Sequence, residues 1–310
     1  MNSKGKKYEL LAVLGLLLAA LFWGISYPLT KFVQEVPTFY IISVRFACAA
    51  AVLAICFFRH FRRFNFDTLK LSFILSFIVT AMYIFNIVGV KYTTSVRASF
   101  FTTLSFLVCP VINRALYKVR ISGIIGRSAL ICLIGTCMLC YKPDMGGLVI
   151  NPGDILCALA SVCGAINIIY IEKMSHRADI DNTLFTIFLM TFISLWGTVI
   201  ALFRGEFSYH SAITSSQMTA IIIMGLLCSA GAFILQIHSE KLVPSNRVGI
   251  IFSLEPASGC ILSVLLIHET MSLIGWMGAL VIMISIIYME LASSKEQAKL
   301  SDCEGDQNVR

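Results

Sequence analysis

Charged residues are scarce in this chain. Of its 310 residues only 13% are Asp, Glu, Lys or Arg, while 58% are hydrophobic. A soluble domain carries roughly 25% charged residues, so a globule of this size with so few charges could not keep its surface hydrated. The apolar residues form blocks of about 20, the length that crosses the hydrocarbon core of a bilayer. The composition therefore excludes a soluble protein and predicts an integral membrane protein with lipid as its solvent.

Motifs of soluble enzymes and of metal sites are also missing. The chain has no phosphate-binding loop, no G-x-S-x-G and no H-E-x-x-H, and His268-Glu269 lacks a second histidine. Ten of the eleven cysteines lie in or beside apolar segments, where cysteine behaves as a small hydrophobic residue. The Asp179-x-Asp181 pair is interpreted as a solvated turn. We expect no metal and no cofactor.

Positive charge is present, with a net charge of +7, but it is not arranged as a basic stripe with interleaved aromatic residues. A nucleic-acid partner is therefore not expected. With the N-terminus in the cytoplasm, 18 Lys and Arg residues fall on the inner side and 5 on the outer side, and Arg45 remains inside a helix. This asymmetry follows the positive-inside rule. It predicts a multi-pass protein of the cell (plasma or inner) membrane with both termini cytoplasmic.

Ten apolar segments can be marked along the chain, and only helices satisfy their backbone groups inside lipid without closing a barrel. A polar cytoplasmic tail, 293–310, follows them. The predicted membrane helices cover residues 10–32, 38–58, 69–90, 96–116, 123–141, 153–173, 183–203, 217–239, 248–267 and 272–292.

The second half of the chain repeats the first. Shifted by 150 residues, the third to fifth helices overlay the eighth to tenth without a gap, and helix 1 matches helix 6 with a shift near 140. Matching positions include Lys91 and Lys241, Ser95 and Ser245, Arg97 and Arg247, Asn86 and Gln236, and Gly24 and Gly164. Because five is odd, the second unit must enter the membrane from the opposite face. The predicted fold is an all-α integral membrane protein with ten transmembrane helices in two inverted five-helix repeats, 9–141 and 153–292.

Two charges are predicted to lie deep in the membrane. Glu255 is near the middle of the ninth helix, and Arg45 is about a third of the way into the second. Unpaired charges are costly at such depths, so they usually face a cavity or a partner. For Glu255 the alternatives are a place in a transport path, where a buried carboxyl can carry a proton, or bonding to neighbouring helices. For Arg45 a structural role is favoured, and pairing of the two residues stays open.

Other residues suit a substrate path. Pro110 and Pro256 interrupt the equivalent fourth and ninth helices and free the carbonyls of Phe106 and Phe252. Broken helices at a repeat interface often hold substrate, although proline is also common in membrane helices that have no such role. Aromatic and amide side chains can line a cavity through stacking and neutral hydrogen bonds. These side chains are Trp23, Tyr27, Tyr83, Asn86, Asn167, Tyr170, Gln236 and His238.

With these motifs the chain resembles the drug/metabolite transporter (DMT) superfamily, specifically its EamA-type ten-helix members. The resemblance lies in Phe22-Trp23-Gly24, Val44-Arg45-Phe46, Lys91-Tyr92-Thr93-Thr94, Ser253-Leu254-Glu255-Pro256 and His268-Glu269-Thr270-Met271-Ser272. It implies a secondary transporter without a bound cofactor, often an exporter of amino acids, metabolites or toxic organic compounds. The family often has a glutamate before its fifth helix. Here that residue is Val119, which leaves a paired role for Glu269 unsupported.

The resulting hypothesis is an exporter of a small-molecule solute, surrounded by membrane lipid and driven without ATP, with protons as a candidate coupling ion. The rival hypotheses are a membrane-embedded enzyme, a receptor or scaffold that transports nothing, and a passive channel. An enzyme would need polar and acidic residues clustered at one membrane face, and the short loops hardly provide them.

Overall fold

Helices form nearly all of the chain that the computed structural model describes, which comprises residues 3–117, 123–142, 147–175, 177, 179–239, 251–252, 254–285, 287–288 and 291–292. One short antiparallel strand pair joins β1, Tyr141–Lys142, to β2, Gly147–Leu148. The expected tail, 293–310, and the repeat partners Lys241, Ser245 and Arg247 lie outside the described residues.

The helices follow one another with short connections. Their bounds are α1 Ser3–Phe32, α2 Thr38–Cys56, α3 Phe66–Tyr92, α4 Ser95–Thr103, α5 Ser105–Tyr117, α6 Gly123–Cys140, α7 Pro152–Ser175, α8 Asn182–Phe203, α9 Ser215–Ile223, α10 Ala232–Ser239, α11 Leu254–Ile267 and α12 Leu273–Ser285. A π-helical segment, Met224–Gly231, joins α9 to α10.

Six helical stretches of the described chain are long and apolar enough to cross a membrane. They are Leu10–Phe32, Thr38–Cys56, Phe66–Tyr92, Pro152–Ile171, Asn182–Phe203 and Ser215–Ser239. Four shorter apolar helices lie where the remaining segments were predicted: Ser95–Cys109, Gly126–Cys140, Leu254–Ile267 and Leu273–Ser285. The helical membrane fold is thus confirmed, whereas the total of ten crossings stays a prediction.

Several helices begin at a polar residue that caps them. The Asn65 side chain accepts a hydrogen bond from the Asp67 amide before α3, and that of Thr94 accepts one from the Arg97 amide before α4. Asp181 accepts two amide hydrogen bonds at the start of α8. Such residues satisfy backbone N–H groups that the helix leaves unpaired, so the short polar loops also fix where each membrane segment begins.

The surface of the bundle is apolar and its interior is partly polar. Along α1, Leu11, Leu14, Leu18 and Leu21 are exposed while Leu16 is completely buried, a helical spacing that directs one stripe outward. Soluble monomers rarely expose such continuous apolar surface. Small hydroxyl residues are instead among the buried polar groups, and they include Ser43, Ser72, Ser76, Ser161 and Ser263. The outward stripes therefore face lipid.

Glycines allow helices from the two halves of the chain to touch. A Cβ atom at Gly135 of α6 would lie 2.9 Å from the Gly278 carbonyl oxygen of α12, and one at Gly278 would lie 2.7 Å from the Gly135 oxygen. A Cβ atom at Gly24 of α1 would lie 2.9 Å from the Gly259 nitrogen of α11. Backbones that approach this closely gain packing and leave no room for a side chain.

Most helix pairs with extensive contact join the first half to the second. Helix α1 packs against α10 and α11, α2 against α8, α3 against α7 and α8, and α4 against α7 and α11. The two halves consequently share one interior along their full length.

The described loops fall into two groups at opposite ends of the bundle. At one end, here called the Arg97 face, the Lys31 Nζ atom donates to the Thr93 carbonyl oxygen at 2.8 Å, and Tyr40 is hydrogen bonded to His210 at 2.6 Å. At the other, here called the Asp181 face, the Asn65 side chain donates to the Asp179 carbonyl oxygen at 3.3 Å. Consecutive membrane helices run from one face to the other.

Candidate substrate and proton pathway

Glu255 lies in the first turn of the described part of α11, within the bundle. From Ile267, where α11 ends at the Arg97 face, it is twelve residues or roughly 18 Å away, at a rise of about 1.5 Å per residue. The Tyr27 hydroxyl of α1 donates a hydrogen bond of 2.8 Å to its Oε1 atom. Among the described residues no Lys, Arg or His nitrogen lies within 4.0 Å of this carboxylate. The acid is therefore held by a neutral group from the other half of the chain.

Tyr27 is buried, with 4% of its surface exposed. The Asn86 side chain of α3 donates to the Thr102 Oγ1 atom at 3.0 Å. Hydrogen bonds of predicted site residues thus link α11 to α1 through Glu255 and α3 to α4 through Asn86.

Arg45 is 2% exposed and its charge is surrounded by neutral groups. Its Nε atom donates to the Ser229 Oγ atom at 2.8 Å, and its Nη1 atom donates to the Ser26 Oγ atom at 3.1 Å. The guanidinium carbon lies 5.0 Å from the centre of the Tyr83 ring, a cation–π geometry. Arg45 and Glu255 therefore form no salt bridge, because serines and aromatic faces occupy the space around the guanidinium.

Tyr83 of α3 lies beside Arg45. It is buried and packs edge-on against Phe46 at 4.7 Å between ring centroids. The π-helical segment supplies Ser229 on the other side of Arg45. Single π-helical turns inside helices are frequent at functional sites, and here the turn carries a ligand of the buried cation.

Three other predicted residues are buried or packed at the interface between halves. The Trp23 ring lies 5.8 Å from that of Phe233 and 5.1 Å from that of Phe252. Gln236 of α10 is 5% exposed and Asn167 of α7 is 8% exposed. The Asn167 amide oxygen is buried and accepts no hydrogen bond.

The two predicted prolines differ in position. Pro256 is buried near the start of the described part of α11. Pro110 lies within α5, and its side chain is outside the described residues. The break in this membrane segment occurs at Leu104, between α4 and α5 and one and a half turns before Pro110. This turn lies nearer the Arg97 face than Pro110 does, and the predicted effect of Pro110 on the Phe106 carbonyl stays a prediction.

Sequence reasoning missed a polar network at the Arg97 face. Arg97 of α4 and Asp154 of α7 form a buried ion pair, and the Thr93 hydroxyl donates to Asp154 at 2.6 Å. The Glu269 carboxylate accepts hydrogen bonds from the amides of Ser95 and Val96 at 2.7 and 3.1 Å, which caps α4. The available signal was that Arg97, Asp154 and Glu269 each adjoin the end of an apolar segment.

At the Asp181 face the predicted solvated turn is a helix cap. The Asp181 carboxylate accepts hydrogen bonds from the amides of Thr183 and Leu184 and contacts His60 at 2.9 Å. Although burial favours the neutral acid, the bonds from His60, Leu184 and Thr183 outweigh it and lower the pKa of Asp181. Within the described chain no three His, Cys, Asp or Glu residues converge as they would around a metal ion.

A helical bundle that exposes apolar stripes and holds Arg45 and Glu255 between its halves without an ion pair to any described residue is a multi-pass membrane protein. The sequence profile of the EamA-like transporter family matches residues 10–141 and again residues 151–291. The chain belongs to this family, so it is a membrane transporter rather than an enzyme. The resemblance drawn from the sequence motifs is confirmed.

Similar proteins carry the same general description. An uncharacterized transporter of Archaeoglobus fulgidus is 27% identical over 287 residues, covering 91% of this chain and 87% of the relative. The uncharacterized inner membrane transporter YicL of Salmonella typhimurium is 24% identical, covering 91% and 96%. A solved crystal structure is 16% identical with a TM-score of 0.63 and covers 92% of this chain and 98% of that one. This last likeness concerns the fold alone.

Proposed function

We propose that the protein exports small metabolites, amino acids or drug-like compounds in exchange for protons, by alternating access between two inverted five-helix repeats, 9–141 and 153–292. The ten helices would cross the plasma or inner membrane with both termini in the cytoplasm, so that the Arg97 face is external. The inner-membrane relative of Salmonella typhimurium supports this location.

The packing of the helices supports inverted repeats. Counting α4–α5 and α9–α10 as one crossing each, every helix of the first half has a partner five crossings later. Helix α1 contacts α10 and α11. The equivalent contacts in the other half are those of α7 with α3 and with α4–α5, and the bundle has these as well. The pairs α2 with α8 and α4 with α11 map onto themselves. Two packings related by such a swap are close in energy, and each would open the interior to one side.

A single observation carries the proton part of the proposal. Glu255 lies inside the membrane segment, and its one hydrogen bond among described residues comes from a neutral hydroxyl, that of Tyr27. An ionised carboxylate is costly in such surroundings unless it is paired, so a proton or a cationic group of the substrate would neutralise it. Arg45 makes the interior electropositive, but its ligands Ser26 and Ser229 hold it away from the carboxylate.

A transport cycle follows from these constraints. Protonated Glu255 is neutral, so the halves can repack around it without moving a buried charge. After the proton is released into the cytoplasm, the Glu255 carboxylate and nearby polar side chains bind a solute. Opening to the outside returns the solute there, and a new proton neutralises the acid. One proton then enters for each solute that leaves.

The test is efflux from liposomes that contain the purified protein and are loaded with a mixture of amino acids, organic acids and polyamines. An imposed pH gradient should drive specific solutes out against their concentration gradient, without ATP. Mass spectrometry of the external medium identifies the solutes.

The critical variant is Glu255→Gln, which keeps a hydrogen-bond acceptor for Tyr27 but cannot titrate. It should lose all gradient-driven accumulation, and solute concentrations should only equalise. The matched control is Glu35→Gln, the same change in an exposed loop, and it should transport like the unmodified protein. Gradient-driven export that survives in Glu255→Gln excludes the proposed role of this carboxyl.

A further inference from the structure

Asn167 of α7 has an amide without a hydrogen-bond partner in the interior of the bundle. The residue is 8% exposed, and its Oδ1 atom is buried and accepts no hydrogen bond from any residue that the structure describes. Neither does its amide nitrogen donate to any residue of the described chain. Leaving one buried polar group unpaired costs about 1–3 kcal/mol, and native structures leave few such groups without a reason.

The place of Asn167 in the fold is that of Tyr27 in the other half. A shift of 140 residues superimposes Gly24 on Gly164 and Tyr27 on Asn167. Gly24 lies against Ser258 and Gly259 of α11, and Gly164 lies against Ser105 at the start of α5. Tyr27 and Asn167 are therefore equivalent residues on the first helix of each half. Each lies about one turn after the glycine that contacts the opposite half.

The two equivalent positions differ in how their polar groups are used. Tyr27 donates to Glu255, and its hydroxyl is thereby satisfied. A shift of 150 residues makes Ser105 the equivalent of Glu255. The half that Asn167 faces therefore has a hydroxyl where the half that Tyr27 faces has a carboxyl. Asn167 has no carboxylate to bond, and its donors and acceptor remain available.

We infer that Asn167 binds the uncharged polar group of the transported solute, a hydroxyl or a carboxamide that donates to its Oδ1 atom and accepts from its Nδ2 atom. This inference rests on the proposed function and names a second contact for the same substrate. Glu255 would respond to charge, whereas Asn167 would select among solutes by neutral hydrogen bonding. A site built to hydrogen-bond such a group discriminates strongly against analogues that lack it.

Thiol labelling tests whether the position is open to aqueous solutes. In a chain whose native cysteines are replaced, Asn167→Cys should react with the water-soluble reagent methanethiosulfonate ethyltrimethylammonium in membrane vesicles. The matched control is Ile168→Cys, the next residue, which is 42% exposed on the apolar outside of the bundle and should not react because lipid covers it. An unreactive Asn167→Cys, or equal reaction of the two variants, would overturn the inference.

Isosteric solutes test the chemical class. Threonine should slow the labelling more than valine, which has a methyl group in place of the hydroxyl, and glutamine more than methionine. Protection by none of these solutes, or protection only by valine and methionine, overturns the assignment of a hydroxyl or carboxamide.

Thermal unfolding of purified Asn167→Leu gives an independent measurement. Because the amide has no partner to lose, an apolar residue of similar size should leave the melting temperature equal or raised, and a clear fall would show that the protein itself satisfies the amide. None of these readouts requires transport. Failure at Asn167 and failure of the Glu255 proposal are therefore distinguishable.

Discussion

Two arginines are buried in the bundle, and their charges are stabilised in different ways. Arg97, 5% exposed at the end of the bundle, bonds directly to the Asp154 carboxylate and to the Val149 carbonyl oxygen. Arg45, 2% exposed and nearer the centre, contacts serine hydroxyls, a thioether and two aromatic faces, and no carboxylate among the described residues bonds to it. The charge of Arg97 is neutralised by Asp154, so this pair joins α4 to α7. The charge of Arg45 has no carboxylate bonded to it, so it can attract negatively charged groups elsewhere in the interior.

The difference separates a structural charge from one suited to transport. An ion pair with no exposure to solvent is rigid and strongly destabilised when half of it is removed. A cation held by neutral groups leaves its electrostatic attraction available to Glu255 and to an anionic part of a solute. Three substitutions test this comparison, and their expected effects on stability decrease from Arg97 to Arg45 to Asp181.

Arg97→Met should cause the largest loss of stability. It leaves Asp154 as an uncompensated buried carboxylate, and removal of one member of a buried pair costs about 3–5 kcal/mol. The free energy of unfolding in detergent, measured against the unmodified protein, checks the value.

The double variant Arg97→Met with Asp154→Leu is the control for that prediction. Removing both charges should recover most of the loss, because apolar replacements of a buried pair are often neutral or stabilising. A double variant as unstable as Arg97→Met alone would contradict the interpretation of Arg97 as a paired charge.

Arg45→Met should cost less than Arg97→Met, since no carboxylate bonded directly to the arginine loses its partner and a charge that is costly to bury is removed. Transport in liposomes should nevertheless fail, because the interior loses its positive potential. If Arg45→Met instead unfolds the protein as readily as Arg97→Met does, Arg45 is a structural residue and the distinction between the two arginines does not hold.

Asp181→Asn should have the smallest effect at neutral pH, about 0.2–1 kcal/mol, because the amide can still cap α8 and exposed ionic contacts are weak. The folded pKa of Asp181 is lowered, so its charge stabilises the protein above the unfolded value of about 3.9. That contribution disappears as the pH falls through the lower folded pKa. Unfolding measured from pH 7 to pH 3 should show the two proteins converging in acid, and a gap that widens in acid would reverse the sign.

The membrane segments were predictable because each is a long apolar block between polar residues. The predicted segment 38–58 is observed as Thr38–Cys56, and 183–203 as Asn182–Phe203. The turn at Leu104 was not predictable, because leucine has no helix-breaking property.

The depth of a residue in the membrane could be predicted from its position along an apolar segment. The neighbouring helix that its side chain faces could not. Arg45 is buried and Glu255 is partly buried, yet whether they pair depends on which helices touch. The hydrogen bond from Tyr27 joins residues 228 positions apart, and the Arg97–Asp154 pair likewise depends on packing between halves. No local pattern encodes either contact.

Opposed orientation of the two halves is tested most directly by labelling engineered thiols with a membrane-impermeant maleimide on intact cells and on inverted vesicles. Tyr92 and Leu242 are equivalent under the 150-residue shift, and each can be replaced by cysteine in a chain without native cysteines. Inverted halves require Tyr92→Cys to react only from outside the cell and Leu242→Cys only from the cytoplasmic side. Reaction of both thiols from the same side would contradict inverted repeats and, with them, alternating access.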